Sequence, residues 1–210
     1  MLEAVIFDLD GVLIDSEQAW NAAREQLVRE HDGRWRDEAT RDMMGMSSPE
    51  WSRYMHDQLG VDMPPEQIAA DVVRRLERRY RREGPPLLPG AREAVEALAG
   101  RWRLGLASSA NRPLIELVLE LAGMRERFAV VVSSEEVARG KPAPDVYLEA
   151  ARQIGSPPPR CAAVEDSSNG LRAAAAAGML VIAAPNRAFP PSEEALGLAD
   201  AVVDSLEQLR

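Results

Sequence analysis

Short runs of continuously apolar residues recur along the chain, and they restrict its possible folds more than any other feature. Six runs have the length of buried strands, at 4–9, 104–107, 129–132, 162–164, 180–183 and 201–203. Because apolar and polar residues do not alternate within them, each strand is predicted to be covered on both faces. Later in the chain they alternate with helical patterns, at 91–98, 113–121, 144–154, 169–177 and 193–196. This alternation predicts an α/β fold with a parallel sheet and right-handed crossovers.

One segment interrupts the alternation of strands and helices. Residues 16–82 contain no strand-like run, and the stretches 16–29 and 68–80 carry apolar residues at helical spacing. The proline-rich sequence 84–90 then returns the chain to the alternating pattern, opposite the exit near Ile14 and Asp15, and this pair of crossings suits a hinge. We therefore predict a core domain formed by residues 1–15 and 84–210, with an inserted all-helical domain at 16–83.

Composition and charge exclude several classes of protein. The 210 residues are 46% hydrophobic and carry a net charge of −9, which argues against a nucleic-acid-binding surface. No run reaches the roughly 18 apolar residues of a membrane span, and the N-terminus has no signal-peptide pattern. The single cysteine, Cys161, cannot form an internal disulfide, so a cytoplasmic location is expected. A protein this acidic needs local cations to bind an anion, such as a metal ion, a lysine or helix N-termini.

Two carboxylates, Asp8 and Asp10, follow the first apolar run, and Gly11 comes directly after them. Residues two apart in a strand start on the same side, and buried carboxylates are costly unless a positive charge lies nearby. One interpretation is a pair of aspartates that cap a turn. The alternative is a metal site in which one carboxylate is the nucleophile.

The next two strand ends carry groups that could bind a phosphate. Ser108, Ser109 and Asn111 follow the second run and precede a helix, where hydroxyls and free amides either cap the helix or bind phosphate. Lys141 stands between a glycine and a proline after the third run. It is either a solvated lysine or an ammonium that contacts a phosphoryl oxygen.

A second acidic pair, Glu165 and Asp166, ends the fourth run. Oxygen ligands without a cluster of cysteines and histidines favour Mg²⁺ over zinc. Since the carboxyl ends of parallel strands meet at one edge of the sheet, all these groups are predicted to face one crevice. Separate helix caps would explain each group but not the edge that they share.

In this order, the residues resemble the haloacid dehalogenase superfamily along essentially the whole chain. The resemblance implies a Rossmann-like core and identifies the helical insert with the cap of the subgroup that contains β-phosphoglucomutase and small sugar-phosphate phosphatases. The matching motifs are Asp8-x-Asp10-Gly11-Val12, Asp15-Ser16-Glu17, Leu88-Pro89-Gly90, Ser108, Lys141-Pro142-Ala143-Pro144 and Glu165-Asp166-Ser167-Ser168-Asn169-Gly170.

The resemblance implies roles for the acidic residues around one Mg²⁺. Asp8 would be the nucleophile and a metal ligand. Asp10 would protonate the leaving alcohol and then activate water, and its backbone carbonyl would ligate the metal. Asp166 would complete the protein ligands, with Glu165 as a further ligand or as a neighbour that positions one. Proximity to Asp8 and burial under the cap are expected to favour protonated Asp10.

The resemblance also implies which residues bind substrate. Ser108, Ser109 and Lys141 would hold the phosphoryl group, with Asn111 in the same turn and Glu17 at the start of the cap as further substrate contacts. A carboxylate that approaches a phosphate is repelled, by roughly 4 kcal/mol for two unit charges about 4 Å apart at an effective dielectric of about 20. Mg²⁺ and Lys141 would reverse the sign of that interaction.

The predicted function is therefore Mg²⁺-dependent hydrolysis of a small phosphomonoester, such as a sugar phosphate, through an aspartyl-phosphate. The alternatives are a phosphomutase and a non-catalytic binding protein on the same scaffold. Mutases of the subgroup carry a histidine where this chain has Trp20, and an arginine where Gly45-Met46-Ser47-Ser48 offers no cation. The partner is expected to be a small phosphorylated metabolite, without nucleic acid or membrane, and the protein a monomer or homodimer.

Overall fold

A parallel sheet forms the centre of the protein. A computed structural model describes residues 1–44, 46–186 and 189–209, so Gly45 of the sequence comparison lies outside the described residues. The strands of the described chain are β1 (Ala4–Phe7), β2 (Arg103–Ser108), β3 (Phe128–Ser133), β4 (Cys161–Glu165), β5 (Leu180–Ala183) and β6 (Ala201–Val202). They are ordered β3-β2-β1-β4-β5-β6, and every pair is parallel. The predicted α/β class with a parallel, Rossmann-like sheet is confirmed.

Helices cover the sheet and form the inserted segment. They are α1 (Glu17–Glu30), α2 (Ala39–Met43), α3 (Ser48–Leu59), α4 (Pro65–Glu83), α5 (Ala91–Ala99), α6 (Arg112–Leu121), α7 (Asp145–Ile154), α8 (Ser168–Ala176) and α9 (Glu193–Leu196). All residues of β1 and β4 are buried, as their apolar runs predicted. The prediction that every strand is covered on both faces is wrong for β6, whose residues Ala201 and Val202 are exposed at the edge of the sheet. No described helix is long and apolar enough to cross a membrane.

Strand order places a crevice beside the first strand. The chain runs outward from β1 through β2 to β3, then returns to β4 on the other side of β1. The connections that leave β1 and β4 therefore run in opposite directions along the sheet. Where the strand order reverses in this way, an opening is left between the carboxyl ends of the two strands. Phe7 pairs with Val164, so the residues that follow each of them meet at this opening.

The inserted helices pack on one another and on the core. Helix α4 packs against α1 and α3 through an apolar stripe that includes Ile68, Val72, Leu76 and Tyr80, and it also contacts α6. Sequence analysis did not delimit α2 and α3. Helix α3 nevertheless begins with a capping box formed by Ser47 and Glu50, a spacing that is recognisable in the sequence.

Two adjacent crossings connect the insert to the sheet. The amide of Asp15 donates to the carbonyl of Pro86 at 2.8 Å, and the amide of Leu88 donates to the carbonyl of Leu13 at 3.0 Å. Ile14 and Leu87 form an antiparallel bridge between these bonds. The paired crossings have the position expected of a hinge; that 16–83 moves as a separate domain remains a proposal.

Candidate active site

The opening between β1 and β4 gathers most of the residues that sequence analysis singled out. Asp8 follows β1, Glu165 ends β4, Asp166 comes next, and Lys141 lies in the connection between β3 and α7. The amide of Asp8 donates to the carbonyl of Val164 at 3.0 Å, so backbone pairing fixes the carboxylate beside β4. Side chains far apart in sequence thus share one end of the sheet.

Lys141 joins these groups through its ammonium. Its Nζ lies 2.7 Å from Asp8 Oδ1, 2.5 Å from Glu165 Oε1 and 3.1 Å from the carbonyl oxygen of Ala107. Lys141 is only 5% exposed. An ammonium has three donors, and three acceptors surround this one. The lysine is therefore a buried cation between two carboxylates, not a solvated surface residue.

Glu165 is held from several sides. Its Oε1 accepts from Lys141 and from the hydroxyl of Tyr147 at 2.9 Å, while Oε2 accepts from the amides of Asp166 and Ser167 and from the Ser167 hydroxyl. A Cβ at Gly170 would lie 1.8 Å from Glu165 Oε1, so the carboxylate occupies space that only a glycine leaves free. These contacts favour a positioning role for Glu165.

Asp166 lies against the turn that follows β1. Gly11 has φ +80°, a conformation that favours glycine, and its amide donates to the carbonyl of Ile14 at 2.8 Å. A Cβ at Gly11 would lie 2.0 Å from Asp166 Oδ2. The glycine therefore allows both the tight turn and the close approach of the carboxylate.

The carboxylates lie close enough to share one metal ion. One oxygen each from Asp8, Glu165 and Asp166 lie within 4.8 Å of one another, and all three residues are buried. Burial raises the pKa of Asp8 to about 8; Glu165 and Asp10 add to this rise and Lys141 opposes it. Burial, followed by the charges of Glu165 and Asp8, raises the pKa of Asp166 well above its ordinary value. One lysine does not balance these charges, and hard oxygen donors fit Mg²⁺.

The pKa of Lys141 is shifted by the same neighbours. Burial alone would lower it, but the negative charges of Asp8 and Glu165 outweigh burial and raise it. The ammonium therefore stays charged across the neutral range.

Asp10 is tied to the start of the inserted segment. Its Oδ1 accepts hydrogen bonds from the hydroxyl of Ser16 and from Trp20 Nε1, the latter at 3.0 Å. Ser16 precedes α1 and Trp20 lies in its first turns. The orientation of this carboxylate therefore depends on where the helical segment sits relative to the sheet.

A cavity separates this cluster from the helical segment. Its sheet side includes Asp8, Asp10, Ser109, Lys141 and Asp166. Its helical side is lined by Glu17, Trp20, Arg24, Met43, Met44, Met46 and Trp51. Three methionines and Trp51 thus line the cavity beside the charged residues.

Two residues predicted to bind phosphate, Ser108 and Asn111, are not among the described residues that line the cavity. Ser108 is fully buried at the end of β2, and its hydroxyl accepts from the amide of Ala110 at 3.0 Å. The side-chain oxygen of Asn111 accepts from the amide of Leu114 at 3.2 Å, so Asn111 caps α6. Asn111 lines a separate hollow that also contains Glu135. The structure does not bring Asn111 to the cavity, because a local cap uses its oxygen.

Sequence analysis missed three residues around the cluster. Tyr147 contacts Glu165 from α7, Asn186 lines the cavity from the chain after β5, and Arg24 lines it from α1. Arg24 had a recognisable signal, since it lies seven positions after Glu17, on the same face of the helix.

Comparisons with known proteins agree with this geometry. Residues 2–178 match a family described as haloacid dehalogenase-like hydrolase. Hexitol phosphatase B of Escherichia coli (strain K12) is 36% identical over 226 aligned residues, which cover 98% of this chain and 93% of that protein. The crystal structure of CbbY from Rhodobacter sphaeroides in complex with phosphate has a TM-score of 0.88 and 31% identity, and covers 100% of this chain and 96% of that one. A variant of CbbY in complex with xylulose-(1,5)bisphosphate has the same TM-score and coverage at 30% identity.

Proposed function

Because the chain belongs to the haloacid dehalogenase-like hydrolase family, we propose that it is a phosphoric monoester hydrolase that acts on a small sugar or polyol phosphate. The observation that carries the proposal is the placement of Asp8 on the floor of the cavity, 2.7 Å from Lys141 and beside Asp166. A nucleophile next to a fixed cation and an oxygen-ligand site is what phosphoryl transfer requires. The relatives named above act on or bind sugar and polyol phosphates, which supports the substrate class.

The first step begins with Asp8. One of its carboxylate oxygens bonds to phosphorus as the bond to the ester oxygen breaks, which gives an aspartyl-phosphate. Asp10 donates a proton to the departing alkoxide, so the product leaves as a neutral alcohol. Lys141 and the amide of Ser109 would attract the phosphoryl oxygens during transfer, and both residues line the cavity.

The second step restores the enzyme. Asp10, now a carboxylate, removes a proton from water as that water attacks the phosphorus of the aspartyl-phosphate. The bond to Asp8 breaks and inorganic phosphate is released. Ser16 and Trp20 both donate to Oδ1 of Asp10, so Oδ2 would be the oxygen that carries the proton.

We propose that Asp8, Asp166 and the backbone carbonyl of Asp10 hold Mg²⁺, while Glu165 orients Lys141 and the loop after β4. A bound Mg²⁺ would supply positive charge that offsets the negative charge of the phosphoryl oxygens. Glu165 is assigned the positioning role because its two oxygens already accept five hydrogen bonds.

We expect Mg²⁺ to raise the melting temperature more at about pH 8 than at about pH 5. The folded-state pKa values of Asp8 and Asp166 lie above the ordinary 3.8, so the folded protein holds protons that the unfolded chain releases. Stability without metal is therefore lost as the pH rises from about 4 towards 8. Mg²⁺ binds the deprotonated carboxylates, and saturating metal should add roughly 5–10 °C at the higher pH.

Thermal melts with EDTA and with Mg²⁺ at both pH values measure this effect. The same melts on Asp166→Asn serve as the comparison, and this variant should lose most of the increment. An increment that is equal at both pH values, or unchanged in Asp166→Asn, would contradict the assignment of the metal ligands.

Substrate access requires the two walls of the cavity to separate. The cavity encloses about 80 Å³, whereas ligand pockets commonly enclose roughly 300–1,000 Å³. We propose that the helical segment opens about the paired crossings to admit substrate and then closes to exclude water. The contacts of Asp10 with Ser16 and Trp20 would make closure and placement of the acid a single event.

The function is tested with a panel of phosphomonoesters and Mg²⁺, in which released phosphate is quantified and products are identified by phosphorus NMR. We expect net release from sugar or polyol phosphates. Isomerised ester without net release, dependent on a bisphosphate activator, would instead identify a phosphomutase. Failure to turn over any ester would favour a binding protein.

A further inference from the structure

Arg24 lies in the helical wall of the cavity between two tryptophans. Its guanidinium carbon is 4.9 Å from the centroid of the Trp20 ring and 5.1 Å from that of Trp51, and the two rings meet edge to face. The residue is 5% exposed. The aromatic faces fix the position of the cation but supply none of the hydrogen bonds that a guanidinium can donate.

The hydrogen-bonding capacity of Arg24 is unused by the described part of the chain. Its Nε is buried without a partner, and the residue makes no hydrogen bond or ion pair to another described residue. Burial lowers its pKa to about 10, against the opposing charges of Glu17 and Asp10. A buried guanidinium without hydrogen-bond partners is costly to the fold, and the hydrolytic steps above do not use it.

Glu17 presents the opposite polarity on the same wall. It lies two helical turns before Arg24, lines the same cavity, and its Oε1 is buried without a partner among the described residues. Burial raises its pKa, and the charge of Arg24 and a hydrogen bond from Asn21 oppose this rise. Two residues of opposite charge, each with an unpartnered polar atom, thus line the cavity in which the leaving group of a substrate would lie.

We propose that Arg24 and Glu17 recognise hydroxyl groups on the leaving alcohol, which makes a polyhydroxylated monophosphate the preferred substrate. The inference rests on the proposed hydrolase function. A hydroxyl both donates and accepts, so adjacent hydroxyls can donate to Glu17 and accept from Arg24. A pair that recognises hydroxyls discriminates strongly against an ester that lacks them, since its own groups would then remain unpaired.

A second phosphate fits this wall less well than hydroxyls do. Arg24 is the only cation among the described residues on the helical side of the cavity, whereas Glu17 and Asp10 both face the same space. A phosphate dianion would gain one cation and meet two carboxylates. Neutral hydroxyls avoid this repulsion and satisfy both members of the pair.

The experiment compares a hexitol phosphate with n-hexyl phosphate, which has the same number of carbons and no hydroxyl groups on its chain. We expect Arg24→Met and Glu17→Gln each to lower kcat/KM for the hexitol ester by about 10- to 100-fold. For hexyl phosphate, each variant should change kcat/KM by less than about 3-fold, since this ester has no hydroxyl for the pair to bind. Asp37→Asn, an exposed substitution elsewhere, serves as the reference variant.

Thermal melts keep this test independent of folding. Arg24→Met removes the cost of a buried cation but also its contacts with Trp20 and Trp51, so its melting temperature should stay within about 3 °C of the wild type. Equal losses on both esters, as when Arg24 only supports Trp20 and Asp10, would overturn the proposal, as would a markedly lower melting temperature.

A bisphosphate ester tests whether Arg24 instead binds a second phosphate group. If the wild type prefers fructose bisphosphate to the hexitol ester and Arg24→Met removes that preference, Arg24 binds a second phosphate and recognition of hydroxyls is overturned. Loss of the proposed function itself has a different signature, because the wild type would then hydrolyse none of these esters.

Discussion

Asp8→Asn is expected to abolish phosphate release while the fold survives. An amide cannot form the aspartyl-phosphate, and removal of a nucleophile lowers kcat by at least about 10³-fold. The side-chain oxygen of asparagine can still accept the hydrogen bond that Lys141 Nζ donates to Oδ1. Because burial already raises the pKa of Asp8 to about 8, a neutral side chain suits the site without metal.

Three measurements together test the assignment of Asp8. Steady-state phosphate release gives kcat, a melt without Mg²⁺ gives stability, and mass spectrometry of acid-quenched enzyme detects the covalent phosphate. We expect the added mass in the wild type and in the exposed control Asp37→Asn, and none in Asp8→Asn. A folded Asp8→Asn variant with activity near that of the wild type would exclude this residue as the nucleophile.

Lys141→Met is expected to reduce both activity and stability. Methionine has a similar length but no charge, so Asp8 and Glu165 lose the cation that lies 2.7 Å and 2.5 Å from them. Breaking a buried ion pair by removing one partner costs about 3–5 kcal/mol in the free energy of unfolding. Loss of the charge that faces the phosphoryl oxygens should lower kcat by at least about 100-fold.

Arg139→Met is the matched control for Lys141→Met. Arg139 lies two positions earlier and pairs with Asp145 at 3.0 Å, but its side chain is 71% exposed, so its removal should cost at most about 1 kcal/mol. Urea denaturation measures both variants. Lower pH should restore part of the stability of Lys141→Met, because Asp8 and Asp166 then take up protons. Equal costs at the buried and exposed positions would refute the network described around Lys141.

The site explains why two glycines flank the acidic residues. Gly11 and Gly170 leave the space that the carboxylates of Asp166 and Glu165 occupy, with hypothetical Cβ distances of 2.0 Å and 1.8 Å. A side chain at either glycine would push the neighbouring carboxylate out of this position. The glycines therefore act on the chemistry through the acidic residues beside them.

The sequence by itself determined the sheet and the edge at which the chemistry lies. Continuously apolar runs identified all six described strands, because a strand that is covered on both faces must be apolar at consecutive positions. The exception is β6, which is apolar although its residues are exposed. The carboxyl ends of parallel strands share one edge, and this rule was sufficient to predict that Asp8, Lys141 and Asp166 would meet.

Only the tertiary structure decided how each polar group is used. Local sequence left open whether Asn111 caps α6 or binds phosphate. It did not show that Glu165 accepts hydrogen bonds from Lys141, Tyr147 and the chain after β4. Nor could it show that Arg24 faces the cavity between Trp20 and Trp51. The periodicity of a helix reports which residues share a face. The direction of that face is set by packing against distant elements, here α1 against α4 and α4 against α6.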